Sequence, residues 1–230
     1  MGSDRSLHPA AEAALARRGC AMLERRRIAS DVAFTPSVKA IQIRKGSRDA
    51  YARVEKNGGW TTKITPELAA FIARQTSVFL ATASAAGQPY IQHRGGPPGF
   101  LRVLDANCVA FADFRGNRQY ISAGNLAENP RAHLFLIDYA TRQRIKLWGT
   151  ALVLEDDPAL VGRLMPPNYK ARGEHAILFH VDAWDANCPQ HIPQRLDAIE
   201  VAAALQARDR RITELEAEVS RLTHASPSHG

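Results

Sequence analysis

Three short stretches carry side chains whose types and spacing suit chemistry. In FADFRGNRQYISAGNL, Phe111 to Leu126, an apolar run of strand character breaks at Arg115-Gly116-Asn117-Arg118 and resumes with helical character. A strand that turns tightly into a helix presents backbone N–H groups without intrahelical acceptors, which makes an anion site before any side chain is added. Gly116 makes the turn permissive, Asn117 is placed to cap the helix, and Arg118 adds a forked, permanently charged donor. A phosphate is the natural occupant. A capped surface helix with a solvent-facing arginine has the same residues, and this stretch alone does not separate the two.

The second stretch, TRQRIKLWGTA, brings Arg142, Arg144 and Lys146, the last two on one strand face that a barrel can set beside the turn. Asp113 and Asp138 are nearby carboxylates suited to ordinary salt bridges, and plain exposed strand charges are the competing reading. The third, GQPYIQHRGGPPGF, leads from Gln92, His93 and Arg94 into Gly95 and Gly96, where bare backbone lets a flat group approach closely. A hairpin loop rich in glycine and proline is the alternative. Cys188 and His191 stand three apart in NCPQHIPQ, but no second Cys/His pair at metal spacing accompanies them, so no metal site is expected. A proline-bounded strand exit is preferred there over His191 as acid or base, or Trp184 as a stacking partner. His93 and His180 read as a pocket-lining and a strand histidine rather than haem ligands.

These stretches sit on elements of short period. SVFLATA, PYIQHR, FLRVLD, CVAFADF, RAHLFLIDY and RIKLWGTALVLE are six runs rich in β-branched, leucine and aromatic residues, separated mostly by turn residues. Gaps that short hold no helical crossover, so most neighbours pair antiparallel. AILFHVDAWD at 176–185 is a seventh candidate, after a helix expected over 157–164. The fold expected is mainly β with flanking helices (α+β), a closed or partly closed barrel that leaves few bare edges. Upstream, Thr35-Pro36 and Thr65-Pro66 predict helix starts, with Glu67 in the first turn of the second, and Gly58-Gly59 predicts a stop. Downstream, Ala198, Leu205, Ile212 and Val219 are seven apart, as are Val201, Arg208, Leu215 and Leu222, which is a short heptad seam interrupted by Arg208. That stripe predicts packing on another helix of the same chain or on a second subunit.

The chain has 230 residues and a net charge of +7. Residues 1–63 hold 13 of its 30 Lys and Arg but 6 of its 23 Asp and Glu, so the excess lies there and the rest balances at 17 of each. A solvated basic arm is preferred over a nucleic-acid partner reached through it. No run approaches the 18 apolar residues of a membrane helix, and no secretion signal is visible, so a cytoplasmic protein is expected. Cys20, Cys108 and Cys188 are too few and too widely spaced for a disulfide framework. The organisation expected is a poorly ordered basic leader over 1–30, a helical arm over 31–63, a barrel over 64–195, a C-terminal helix with a possible coiled coil over 196–224, and a disordered tail over 225–230.

From Thr65 to Leu154 the order of strand, basic turn, helix, Asn129-Pro130, apolar strand and Arg/Gln-rich strand ending in Gly149 resembles the pyridoxamine 5'-phosphate oxidase-like family. The resemblance implies a six-stranded antiparallel split β-barrel, a homodimer, and FMN at the subunit interface. It places Asn117 and Arg118 on the Ser-Arg positions that bind the FMN phosphate, Gln119 where a lysine is usual, and Gln143-Arg144 where Arg-Gln is usual, so Arg144 is the expected replacement for the lost charge. Gln92 to Gly96 matches the strand flanking the flavin. The cofactor set implied is Gln92, His93, Arg94, Gly95, Asp113, Asn117, Arg118, Gln119 and Arg144, with no catalytic residue assigned. WDANCPQHIPQR stands where the name-giving oxidase has a Trp- and Arg-rich segment, so the resemblance supports FMN binding and not oxidation of pyridoxamine phosphate. A flavin-dependent oxidoreductase acting on an unidentified small molecule is the leading expectation, with a non-catalytic flavin-binding or redox-sensing module as the alternative.

Overall fold

A computed structural model describes residues 28–187 and 189–225. Cys20 and Cys188, the leader up to residue 27 and the tail from residue 226 lie outside the described residues. The chain divides into two units, the larger running to Ile137 and resuming at Arg144, the smaller comprising Asp138–Gln143 and the segment from Pro189 onward.

In the larger unit a 3-10 turn at Ala29–Val32 precedes α1 (Pro36–Arg44), α2 (Arg48–Lys56) and α3 (Pro66–Ala73). The expected starts hold: Thr35 and Thr65 each accept the N–H three residues on, with proline at the first helical position. The strands are β1 (Ser77–Ala83), β2 (Pro89–Gly95), β3 (Arg102–Asp105), β4 (Cys108–Phe114), β5 (Arg131–Asp138), β6 (Gln143–Leu154) and β7 (Gly173–Asn187). Helix α4 (Ile121–Glu128) follows β4, and α5 (Pro158–Leu164), capped by Asp157, follows β6. All six expected runs are strands, and the seventh candidate is the long β7.

The strands form one sheet in the order β2-β1-β5-β6-β7-β4-β3, with antiparallel pairing throughout the registers described. Residues alternate between faces along a strand. Val78 and Leu80 of β1, Leu134 and Leu136 of β5, Leu147 of β6, Phe179 and Val181 of β7 and Val109 and Phe111 of β4 share one buried core with Leu68, Phe71 and Ile72 of α3. Strands β1 and β4 are four places apart in the order, so the sheet must curl for them to share a core. At the β6–β7 bulge, a Cβ on Gly149 would stand 1.8 Å from the His180 carbonyl oxygen, which accounts for glycine there.

The segment before α3 is fastened by aromatic rings. Phe34 packs on Tyr51 and Trp60, and Trp60 stacks on Trp148 of β6 at 4.6 Å between centroids. Trp184 donates from Nε1 to the Lys63 carbonyl, 2.9 Å. Within this arm Lys39 pairs with Asp31 and Glu55, and Arg48 pairs with Glu55 and Gln42. Cys108 is buried, and burial pushes its thiol up to about 12, which leaves it unreactive.

The smaller unit is a strap and a helix. Arg195 donates from its amide to the Tyr139 carbonyl and lays its guanidinium over the Tyr139 ring, and Gln194 reaches the Ala140 carbonyl. Asp197 caps α6 (Ala198–Ala225), accepting from the amides of Ile199 and Glu200. None of the helices among the described residues is long and apolar enough to cross a membrane.

His133 packs edge-on against Trp148 at 4.9 Å, and Lys146 lies over the same ring. Burial, then the nearby Lys146 charge, pushes His133 down to about 4. An unfolded histidine takes up its proton near 6.5, so between about 6.5 and 4 the unfolded chain binds more protons and stability falls as pH falls. His133→Gln is expected to remove acid destabilisation on the order of 2 to 3 kcal/mol across that window, read by urea unfolding at a series of pH values. An unchanged pH profile would show that other groups carry the acid sensitivity.

Candidate functional site

The site begins with a carboxylate. Asp113, second to last in β4, is paired with His175 of β7 in the sheet register, and His175 Nε2 lies 2.9 Å from Asp113 Oδ2. Arg94 of β2 places Nε 3.1 Å from Asp113 Oδ1. Strands β2 and β4 are far apart in the order of the sheet, so this contact spans the split that the curled sheet leaves. All three side chains are largely withdrawn from solvent. The register shifts between Asp113 and Phe114, and the chain leaves the sheet there.

The turn that follows crosses toward α4, which is anchored on β1 and β2. Ser122 donates to Gln92 Oε1 at 3.2 Å, and Asn125 donates to Thr82 at 3.0 Å. Between these anchors the backbone takes two left-handed steps, at Arg118 with φ 61° and at Tyr120 with φ 54°. Such a conformation costs about 1–2 kcal/mol outside glycine and needs surrounding support. Arg118 donates from Nε to the Tyr120 hydroxyl, 3.2 Å, and that hydroxyl donates to Glu174, 2.9 Å.

Asn117 does not cap the helix as expected. The N-cap position is Tyr120, without a side-chain cap, and Asn117 instead accepts the Gln119 amide at 3.2 Å, closing a small turn of its own. Among the described residues the amides of Asn117 and Arg118 have no acceptor. Successive N–H groups beside a left-handed residue form the kind of concavity that holds anions. Arg118 bonds to the protein through Nε, which leaves its Nη groups for a ligand.

Gln92, Arg94, Asp113, Asn117 and Arg118 therefore line one cleft, together with Tyr120, Glu174 and His175. The cavity is about 40 Å³, room for a phosphate-sized group and far too little for a tricyclic ring. The other expected residues lie elsewhere. His93 alternates to the opposite face of β2, bonds Ser77 at 2.7 Å and packs on Phe79, so it does not line this cleft. A Cβ on Gly95 would meet the His93 ring and the Thr76 carbonyl, and one on Gly96 would meet Phe100 at 2.7 Å. The space beside the two glycines is filled by the protein itself, which corrects the reading of it as an approach for a flat group.

Gln119 lies in the turn, outside the lining of the cleft. Arg144 pairs with Asn187 at the far end of β7, and from Glu174 to Asn187 that strand runs on the order of 40 Å at about 3.3 Å per residue. Lys146 is occupied by Asp185 at 3.0 Å and by the Trp60 and Trp148 rings, so it does not stand beside the turn. His180 pairs with Asp182, whose hydrogen bond raises the imidazole above its ordinary value. Sequence reasoning missed Tyr120, Glu174 and His175. The only signal for Glu174 and His175 was their place at the start of a strand whose partner was unknown.

A family model described as pyridoxamine 5'-phosphate oxidase matches residues 64–218. No curated protein matches the chain. Among solved structures, HupZ of Group A Streptococcus is 18% identical with a TM-score of 0.45, over 58% of this chain and 99% of that one. An FMN-binding protein of Syntrophomonas wolfei is 10% identical with a TM-score of 0.41, over 64% of this chain and 97% of that one. The heme storage protein HutZ of Vibrio cholerae is 16% identical with a TM-score of 0.37, over 54% of this chain and 94% of that one.

Removing the carboxylate tests the architecture of the cleft. Asp113→Ala leaves Arg94 and His175 buried without their partner, and is expected to cost about 3–5 kcal/mol of unfolding free energy. Urea titration reads this directly, and a loss below about 1 kcal/mol would mean that the split is closed by packing alone.

Proposed function

Because the chain belongs to the pyridoxamine 5'-phosphate oxidase family, we propose that it binds FMN with the phosphate in the cleft beside Arg118 and serves as a flavin-dependent oxidoreductase for a small molecule. The observation that carries this reading is the juxtaposition of two amides without acceptors, at Asn117 and Arg118, with a guanidinium whose Nη groups are uncommitted. Charge-assisted bonds from such donors are the strong ones for phosphate. Ser122 and the start of α4 add the dipole of a helix N-terminus.

Bound flavin supplies the electron chemistry; the chain supplies binding, orientation and shielding. The cleft admits the phosphate end, so the ring lies beyond it, in a groove completed by a second copy. The outward face of β1, β2 and β5 suits that role. Phe79 and Phe135 face each other there at 6.5 Å, His93 lies alongside Phe79, and Ile91 is 61% exposed. Arg144, remote from the cleft of its own subunit, supplies the charge lost at Gln119 only across such an interface.

One observation favours the second reading, a flavin-binding or sensing module without turnover. Asp113, Arg94, His175, Tyr120 and Glu174 all answer one another within the cleft, leaving no uncommitted acid or base among them. Protein purified yellow with an oxidised-flavin spectrum that a reduced nicotinamide nucleotide bleaches supports the enzyme, and yellow protein that such donors leave oxidised supports the module. Colourless protein that takes up no added FMN sinks both. Arg118→Ala is expected to weaken FMN binding about tenfold or more, measured by flavin fluorescence quenching, and undiminished retention would overturn the phosphate assignment.

A further inference from the structure

The 28-residue helix α6 is exposed along its whole length, and its large apolar side chains are not scattered. Leu205, Ile212 and Val219 recur every seven residues at one position, and Val201 and Leu215 hold the complementary position three residues on. These five are between 38% and 61% exposed. Helices in proteins draw most of their stability from packing an apolar face, so this stripe asks for a partner.

We propose that α6 forms a parallel, in-register two-stranded coiled coil with α6 of a second copy. Two features choose this occupant. The a positions hold Leu205 and then β-branched Ile212 and Val219, while the d position beside them holds Leu215, the combination that favours two parallel strands. The flanking charges choose the direction. In a parallel pair the g residue Arg211 faces the e residue Glu216 of the other helix, twice per dimer, and no like charges meet between g and e positions. An antiparallel pair centred on Ile212 and Leu215 sets Asp209 and Glu216, both acidic e positions, against each other.

Arg208 is the exception in the seam. It occupies a d position where leucine is usual, and in the in-register parallel pair it meets Arg208 of the other helix, each guanidinium flanked by Asp209 of the other helix at e. The proposal is independent of what the cleft binds.

Cysteine cross-linking in the full chain tests it, in a background with Cys20→Ser and Cys188→Ser. Leu215→Cys is expected to give a disulfide-linked dimer in high yield under mild oxidation, and Thr213→Cys, on the outer side of the helix, is expected to give little. Equal yields at both positions, or none at Leu215→Cys, would overturn the proposal. Cross-linking of Leu215→Cys is expected to fall several-fold on adding Ile212→Asp, and far-UV circular dichroism is expected to lose helix in the same variant while absorbance of any bound flavin stays unchanged. A cross-link that survives Ile212→Asp undiminished would also overturn it.

Discussion

Everything at the cleft depends on one carboxylate taken out of water. Asp113 lies one residue from the end of β4, and a buried charge there would cost several kcal/mol if left alone. It is met from two directions, by Arg94 across the split and by His175 on the neighbouring strand. Meeting Arg94 requires the sheet to curl until β2 comes to β4, and meeting His175 fixes the register of β7. The turn starts two residues later, so its position is inherited from that network. A ligand bound at Arg118 is held by a structure that was organised around Asp113.

The turn stores strain for the same reason. Arg118 and Tyr120 both take left-handed backbone, which neither residue prefers. The hydroxyl of Tyr120, bonded to Arg118 on one side and Glu174 on the other, ties the strained segment to β7. The amides of Asn117 and Arg118 have no acceptor among the described residues. Preorganised donors of this kind bind an anion without reordering the backbone.

How much of this was legible follows from the range of the interactions. Strands announced themselves by period, and helix starts by Thr35, Thr65 and Asp157, because both signals are local. The break between strand and helix at the basic turn was legible for the same reason. The partners of Asp113 were not, since His175 lies 62 residues away and the face that each strand presents depends on the curl of the sheet. Glycine misled twice over: Gly95 and Gly96 are small because Thr76 and Phe100 occupy the space, which no neighbour in sequence reveals. Lys146 was expected beside the turn, but Asp185 and the rings of Trp60 and Trp148, one of them from the N-terminal arm, claim it instead.

Two incomplete features point to the same stoichiometry by separate routes. On the proposed reading the cleft of about 40 Å³ takes the phosphate end of a flavin, and the ring rests against a wall supplied by a second copy. The stripe on α6 needs a second helix, and its charges ask for a parallel one. Symmetry then constrains both. A dimer built on one isologous barrel interface has a single two-fold axis, and a parallel in-register coiled coil has its own two-fold along the helix pair. If both form within one dimer the axes coincide, whereas a coiled coil whose axis could not align would join different dimers into open chains.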